Sequence, residues 1–229
     1  NISSTLFLHG EYFGKSIDHN NDSFLDHPNV RQFNILNKWN YDDYKNWHIA
    51  ATLNYTIEER YGGQSGFGGN SNKNNYRTEI DNERIQFWSK VGYIFGNERN
   101  TSLGFINMIT THRQNALFGN RNYDSEEFNY YLNLIFESEL FNSDHKINTG
   151  FSLIYIDQIY LSQNYDRKET IPGAFLQYTF RPIETLTFIG GIRADHSNEF
   201  GSFITPRFHL RYSPAPNSTF RLSAGKGTR

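Results

Sequence analysis

Residues 46–58, NWHIAATLNYTIE, place Trp47, Ile49, Ala51, Leu53, Tyr55 and Ile57 on one face of an extended chain, and His48, Thr52, Asn54, Thr56 and Glu58 on the other. Successive side chains of a strand point to opposite faces, so a period of two predicts a strand between two unlike surroundings. Strands of about 5–6 residues are usual in soluble sheets, and this one is longer. It has the length of a tilted strand crossing a bilayer, about 9–11 residues, with lipid on one side and a polar lumen on the other.

The pattern recurs along the chain. Alternation and turn chemistry predict eleven strands, near residues 4–13, 30–41, 46–61, 79–95, 101–115, 125–141, 145–162, 170–181, 185–197, 202–213 and 218–227. Tight connections fall at 41–45, 96–100, 142–144, 181–184 and 213–218, all rich in Gly, Pro, Asn, Asp or Ser. Long ones are expected at 14–29, 62–78, 116–124 and 163–169, with a shorter one at 198–201. Short periplasmic turns alternating with long extracellular loops are the asymmetry of an outer-membrane barrel. Charge keeps to one parity: Phe128, Tyr130, Leu132, Leu134 and Phe136 oppose Asn129, Asn133 and Glu137, and Phe208, Leu210 and Tyr212 oppose Arg207, His209 and Arg211. An Arg or Lys on the lipid face near the bilayer midplane costs about 2–4 kcal/mol, which accounts for the segregation. Two segments fit poorly, 101–112, apolar on both parities, and 145–160, where Ile154 and Ile156 blur the pattern.

Composition agrees with this architecture and narrows the function classes. The hydrophobic fraction of 37% and mean hydropathy of -0.69 argue against a helical membrane protein, while a barrel hides its lipid face in alternate positions. Aromatic residues reach 17%, with 15 Tyr and 20 Phe, which suits strands and interfacial girdles. Cysteine is absent, excluding disulfide frameworks and thiolate chemistry, and a net charge of -2 offers no general surface for nucleic acid. The chain starts at Asn1 without an initiator Met or signal-like segment, so a removed signal or a missing upstream part is expected. Eleven strands is odd, whereas single-chain bacterial barrels usually close with an even number, so a fragment of a larger barrel is expected.

No catalytic constellation is found, and no metal site is expected. The eight His residues show no H-E-x-x-H or paired ligand spacing. His196 and His209, on neighbouring strands, read as rim or lumen contacts. The stretch DHNNDSFLD, residues 18–26, is rich in oxygen ligands but matches no calcium-loop spacing, and a solvated polar loop is the plainer reading. GGQSGFGG, residues 62–69, reads as an outer loop and not a phosphate cradle, because no helix follows it. Arg77, Arg84, Arg113, Arg121 and Arg167 lie in or near the outer loops, where they could meet an anionic ligand or lipopolysaccharide phosphates.

Residues 171–229 carry a family resemblance. The pieces are Gly173, Ala174, Phe175, Gln177 and Tyr178 in one strand, GIRAD at Gly191 to Asp195, TPR at Thr205 to Arg207, and R-x-SAGKG from Arg221 to Gly227. With RQFNILNKWNY at 31–41, they resemble the barrel of TonB-dependent outer-membrane receptors of the Bacteroidota type. The resemblance implies an all-β, antiparallel transmembrane β-barrel segment, with residues 1–229 forming about 11 strands of a roughly 22-stranded barrel whose lumen holds a plug. It also implies the outer membrane of a Gram-negative bacterium, contact with lipid and lipopolysaccharide, and coupling to the TonB complex through a missing N-terminal part. The function implied is binding and active import of a scarce small-molecule ligand: a siderophore, cobalamin or other metal chelate. Neither enzymatic activity nor a cofactor nor nucleic-acid binding is expected.

Ligand contacts are expected from Tyr61, Gln64, Phe67 and Tyr76 in one outer loop and Phe118, Arg121 and Tyr123 in another, since aromatic and Arg side chains supply most contact energy at binding sites. Arg193, Asp195, Arg207, His209, Arg211 and Arg221 are expected to face the lumen or plug. There the arginines would pair with Asp195, Glu184 or the plug, because charges away from water are usually paired. The alternatives are a plug-less porin-like or adhesive outer-membrane barrel, and a soluble carbohydrate-binding β-sandwich.

Overall fold

The computed structural model describes residues 1–65, 76–96, 100–161 and 165–227. They form one antiparallel meander of eleven strands: β1 (Ile2–Phe13), β2 (Asn29–Asp42), β3 (Trp47–Gly63), β4 (Arg77–Ile94), β5 (Ser102–Phe118), β6 (Arg121–Glu139), β7 (His145–Tyr160), β8 (Tyr165–Ile183), β9 (Leu186–Ser197), β10 (Gly201–Ala215) and β11 (Ser218–Gly225). Each strand pairs with its neighbours in chain order, and the sheet is not closed between β1 and β11. β6 and β8 reach 19 residues each, far beyond the usual length in soluble sheets.

Cross-strand partners share a face, so the register sorts the sheet into two surfaces. One level runs Ile35, Tyr55, Ile85, Thr111, Phe128; another runs Phe33, Ile57, Glu83, Arg113, Glu126. Between such charged levels and the opposite rim this face is mostly apolar, interrupted by Asn37, Ser89 and Asn107, for about 9–11 residues per strand, the span of a tilted strand in lipid. Trp47 and Tyr93 rings meet at 4.8 Å at one border of the band, and Phe128 and Tyr155 at 6.1 Å at the other, as interfacial girdles require. Leu53 (43% exposed), Phe87, Ile109, Leu134, Phe151, Leu176 and Ile192 stand exposed on this face. Most residues removed from solvent lie on the other face, and they are small or polar: Thr110, Ala116, Ser152 (1% exposed), Glu169, Asp195 and Ser197. Inverted burial of this kind identifies the polar side as the enclosed interior and the apolar side as the lipid surface.

All eleven expected strands are present, but the connections differ from expectation. The turns at 43–46, 140–144, 184–185 and 216–217 are short and define one rim; the connections from Phe13 to Asn29 and from Gly63 to Arg77 are long and mark the long-loop rim, residues 66–75 lying outside the described residues. At that second rim, residues 116–118, 121–124 and 165–169 are strand and not loop, and 163–164 lie outside the described residues. β5 continues to Phe118 and β6 starts at Arg121, joined by a two-residue turn with Gly119 at φ 66°, a value that favours glycine. The strands outlast the lipid band, and in that overhang polarity stops alternating while the hydrogen-bond ladder continues. Residues 77–84 alone project roughly 25 Å along the strand at about 3.3 Å per residue.

Candidate functional site

The interior face is organised in levels set by the register. At mid-height Trp88, Met108, Tyr131, Ile154 and Ile171 lie side by side across β4 to β8, a continuous apolar row on a mostly polar surface that also carries single apolar residues such as Ile106, Ile135 and Phe175. Ile154 is one of the residues that blurs the parity in the sequence, and the row explains it. Nearer the short-turn rim, Arg193 Nε donates to Asp195 Oδ2 at 2.8 Å and its Nη2 to Ser152 Oγ at 2.6 Å. Arg207 lies across Gly191 and donates to Gln177 Oε1 at 2.8 Å. Above these, Glu169 pairs with Arg167 and accepts from Ser197 Oγ at 2.8 Å.

The six residues expected on the lumen side, Arg193, Asp195, Arg207, His209, Arg211 and Arg221, all share the interior face. Arg193 finds Asp195 as expected, whereas Arg207 takes a glutamine. His209 Nδ1 is 2.9 Å from Ser223 Oγ. His196 and His209 point to opposite faces, since His196 pairs with Ser202 and His209 with Ile189, so the two do not meet.

The expected ligand-contact residues divide. Phe118, Arg121 and Tyr123 belong to the overhang of β5 and β6, not to a loop, and all three face the interior. The Tyr123 ring packs edge-on against Tyr160 at 5.8 Å, and Tyr160 against Tyr165 at 5.8 Å. Burial, with Tyr123 alongside, pushes the Tyr160 hydroxyl pKa up, so it stays a neutral donor at physiological pH. Tyr160 and Tyr165 were not singled out in the sequence; an aromatic on each side of an expected loop was the available signal. Gln64 and Tyr76 are joined, Gln64 N donating to Tyr76 O and Tyr76 N to Gln64 Oε1, each at 2.9 Å. The Tyr76 ring lies against Gly119, which brings this pair to the β5–β6 turn. Tyr61 pairs with Asn29 and Glu79 on the outward face, so it is turned away from the tyrosine cluster. Phe67 lies outside the described residues.

Residues 14–28 fold onto the end of β3. Leu25 N donates to Gly63 O at 2.8 Å and Ser65 N to Ser23 O at 2.6 Å. The acids of this loop serve its backbone: Asp18 accepts from Asp22 N and Ser23 N, and Asp22 from Phe24 N at 2.8 Å. Asp26 accepts from the His19 backbone N–H and meets the His19 ring at 2.7 Å, and these bonds hold its carboxyl below the ordinary carboxylate range. Their oxygens are occupied as caps in the manner of Asx turns.

Comparison with known proteins gives a family and a fold. The family described as TonB dependent receptor-like, β-barrel, matches residues 2–229. The structure resembles the siderophore receptor PirA from Pseudomonas aeruginosa, with TM-score 0.67 and 13% identity over 86% of this chain and 33% of that one. It also resembles the alcaligin outer-membrane receptor FauA from Bordetella pertussis, with TM-score 0.73 and 16% identity over 97% of this chain and 37% of that one. The chain thus spans about a third of the length of these structures. No curated protein matches.

Proposed function

The chain belongs to the TonB dependent receptor-like β-barrel family, and on that premise we propose that residues 1–229 form part of the wall of an outer-membrane receptor that imports a scarce ligand. The ligand class is a siderophore, cobalamin or other metal chelate, and entry is coupled to TonB through parts of the receptor outside these strands. In this reading the long-loop rim faces the exterior, and the lipid band contacts phospholipid on one leaflet and lipopolysaccharide on the other.

The observation that carries the receptor over a porin is the apolar row Trp88, Met108, Tyr131, Ile154 and Ile171. A water-filled channel would leave this row wetted, whereas a lumen occupied by protein buries it at roughly 25 cal/mol per Å² of apolar surface. Ligand capture is assigned to the tyrosine cluster Tyr123, Tyr160 and Tyr165 with Arg121 at the hairpin tip, assisted by Phe118 and by Gln64 and Tyr76 beside the turn. Aromatic rings and a guanidinium are the groups that dominate binding energy in small interfaces. Catalysis is not assigned to any residue.

The test is uptake of labelled ferric siderophores and cobalamin by cells expressing the full-length gene, with and without TonB. Uptake that requires TonB, and that weakens in Tyr123→Ala, is the expected result. Uptake unaffected by loss of TonB sinks the receptor reading in favour of a passive barrel.

A further inference from the structure

A polar group on the lipid face at the bilayer midplane finds no water to bond, so it is costly unless something else pairs it. On β5 the borders of the lipid band fall at Leu103, the cross-strand partner of Tyr93, and at Thr111, the partner of Phe128. Asn107 stands midway between them, roughly 13 Å along the strand from either border at 3.3 Å per residue. Its Nδ2 donates to Ser89 Oγ on β4 at 2.6 Å, and neither its Oδ1 nor its second amide hydrogen has a partner among the described residues. Asn37 and Thr149, on the same face, are bonded back into their own wall. Thr149 Oγ1 donates to Phe175 O at 2.8 Å, and Asn37 Nδ2 to Ser4 Oγ at 3.3 Å and Thr5 O at 3.4 Å. Tyr130 on β6 is long enough to lean its hydroxyl towards the border of the band, and an asparagine is not. The level of Asn107 continues through Leu132, Leu153 and Pro172, so the polar spot is local to β4 and β5. It is also recessed: small Ala51 and Ser89 share its level, while exposed Leu53, Phe87 and Ile109 stand one level nearer the long-loop rim.

We propose that this notch is the contact through which two copies of the receptor associate side by side in the membrane, the Asn107–Ser89 pair of one copy hydrogen-bonded to the same pair of the other. The proposal depends on the lipid-face assignment and not on what the receptor imports. Copies inserted in one orientation are related by an axis along the membrane normal, and rotation about it leaves the depth of every residue unchanged. The notch therefore meets itself, as an isologous contact requires. An amide and a hydroxyl each carry both a donor and an acceptor, so the pair is complementary to its own copy. A partner of different sequence would have to supply a matching group at this one depth. Two convex walls touch over only a few strands, and a polar spot two strands wide with Ala51 beside it fits that narrow line. Between two walls the free Oδ1 and N–H are paired, whereas against acyl chains they stay unpaired. Leu53, Phe87 and Ile109 form the apolar margin of the contact.

The experiment uses the full-length receptor in outer membranes, co-expressed as two copies carrying different epitope tags. Residues 1–229 contain no cysteine, and any cysteine outside them is replaced. Ile109→Cys places a thiol beside the notch, and Phe151→Cys places one on the same face of β7; both positions are exposed. A short bis-maleimide is then added. The expected result is a doubly tagged dimer from Ile109→Cys and several-fold less from Phe151→Cys. Adding Asn107→Leu with Ser89→Ala should lower the Ile109→Cys yield several-fold among barrels that still show a heat-dependent electrophoretic shift. Equal yields from the two cysteines, no adduct from either, an adduct from Ile109→Cys to a different protein only, or a yield left unchanged by the double substitution each overturns the proposal. The comparison of the two cysteines keeps Asn107 and Ser89 intact, so it decides the question even where the double variant does not fold.

Discussion

Gly173 is paired with Asp195 across β8 and β9, and a methyl built on it would collide with the Asp195 carboxylate and lie 2.7 Å from Arg193 Nη2. The missing side chain is what lets the Arg193–Asp195 pair lie flat on the interior wall. Gly173→Ala should displace that pair and destabilise the full-length receptor by about 1–3 kcal/mol, the usual range for overpacking. Gly190→Ala, where a methyl meets nothing within 4 Å, should be neutral. Urea midpoints in detergent micelles measure both, and equal midpoints would refute the role given to Gly173. A second residue-scale prediction concerns Asp81, in the overhang. Burial, then Glu59 and Glu79, raise its pKa above the ordinary 3.8. Ionisation is therefore harder in the fold than in the unfolded chain. The resulting penalty is fully present above the raised pKa and disappears as pH falls below 3.8. Asp81→Asn should accordingly stabilise the β3–β4 overhang at neutral pH by about 0.2–1 kcal/mol, the scale of opposed like charges across strands. The gain should fade in acid, and hydrogen exchange of residues 77–84 at both pH values reads it.

At the scale of the strand, adjacent residues of β3 should answer the same substitution differently. Leu53 lies on the lipid face opposite Phe87; Asn54 lies on the interior face, where its Oδ1 accepts from Asn34 Nδ2 at 2.8 Å. Leu53→Arg should cost about 2–4 kcal/mol. Asn54→Arg should cost only the lost neutral hydrogen bond, about 0.5–1.5 kcal/mol. Refolding of the full-length receptor into phospholipid vesicles measures the difference, and equal costs would refute the assignment of faces. The faces were legible in sequence because lipid and lumen impose opposite demands on successive residues. The overhang was not, for the same reason: with water on both faces, segments such as QNALFGNRNYDSEE (114–127) have the composition of a loop while remaining paired. Candidate interior residues could be named by parity alone. The meeting of Tyr123 with Tyr160 and Tyr165 depends on register, which a one-residue shift would have altered.

Taken whole, the sheet has a directional constraint that bears on how it closes. Every pairing is antiparallel, so β1 and β11, the first and last of an odd series, run the same way. Joining them would make a parallel pair, and so would joining edges of two copies inserted with the same orientation. Antiparallel closure instead needs an odd number of further strands between β11 and β1. Until they are supplied, the outer backbone groups of Ile2–Phe13 and Ser218–Gly225 face lipid unpaired, at several kcal/mol for each group. No rearrangement of side chains offsets that. Residues 1–229 expressed alone should therefore fail to form a barrel in vesicles, giving neither the heat-dependent electrophoretic shift nor the protease resistance of a closed barrel. The full-length receptor under the same conditions should give both. A protease-resistant, heat-shifting species from residues 1–229 alone would mean that β1 and β11 close in parallel, and would overturn the argument from strand parity.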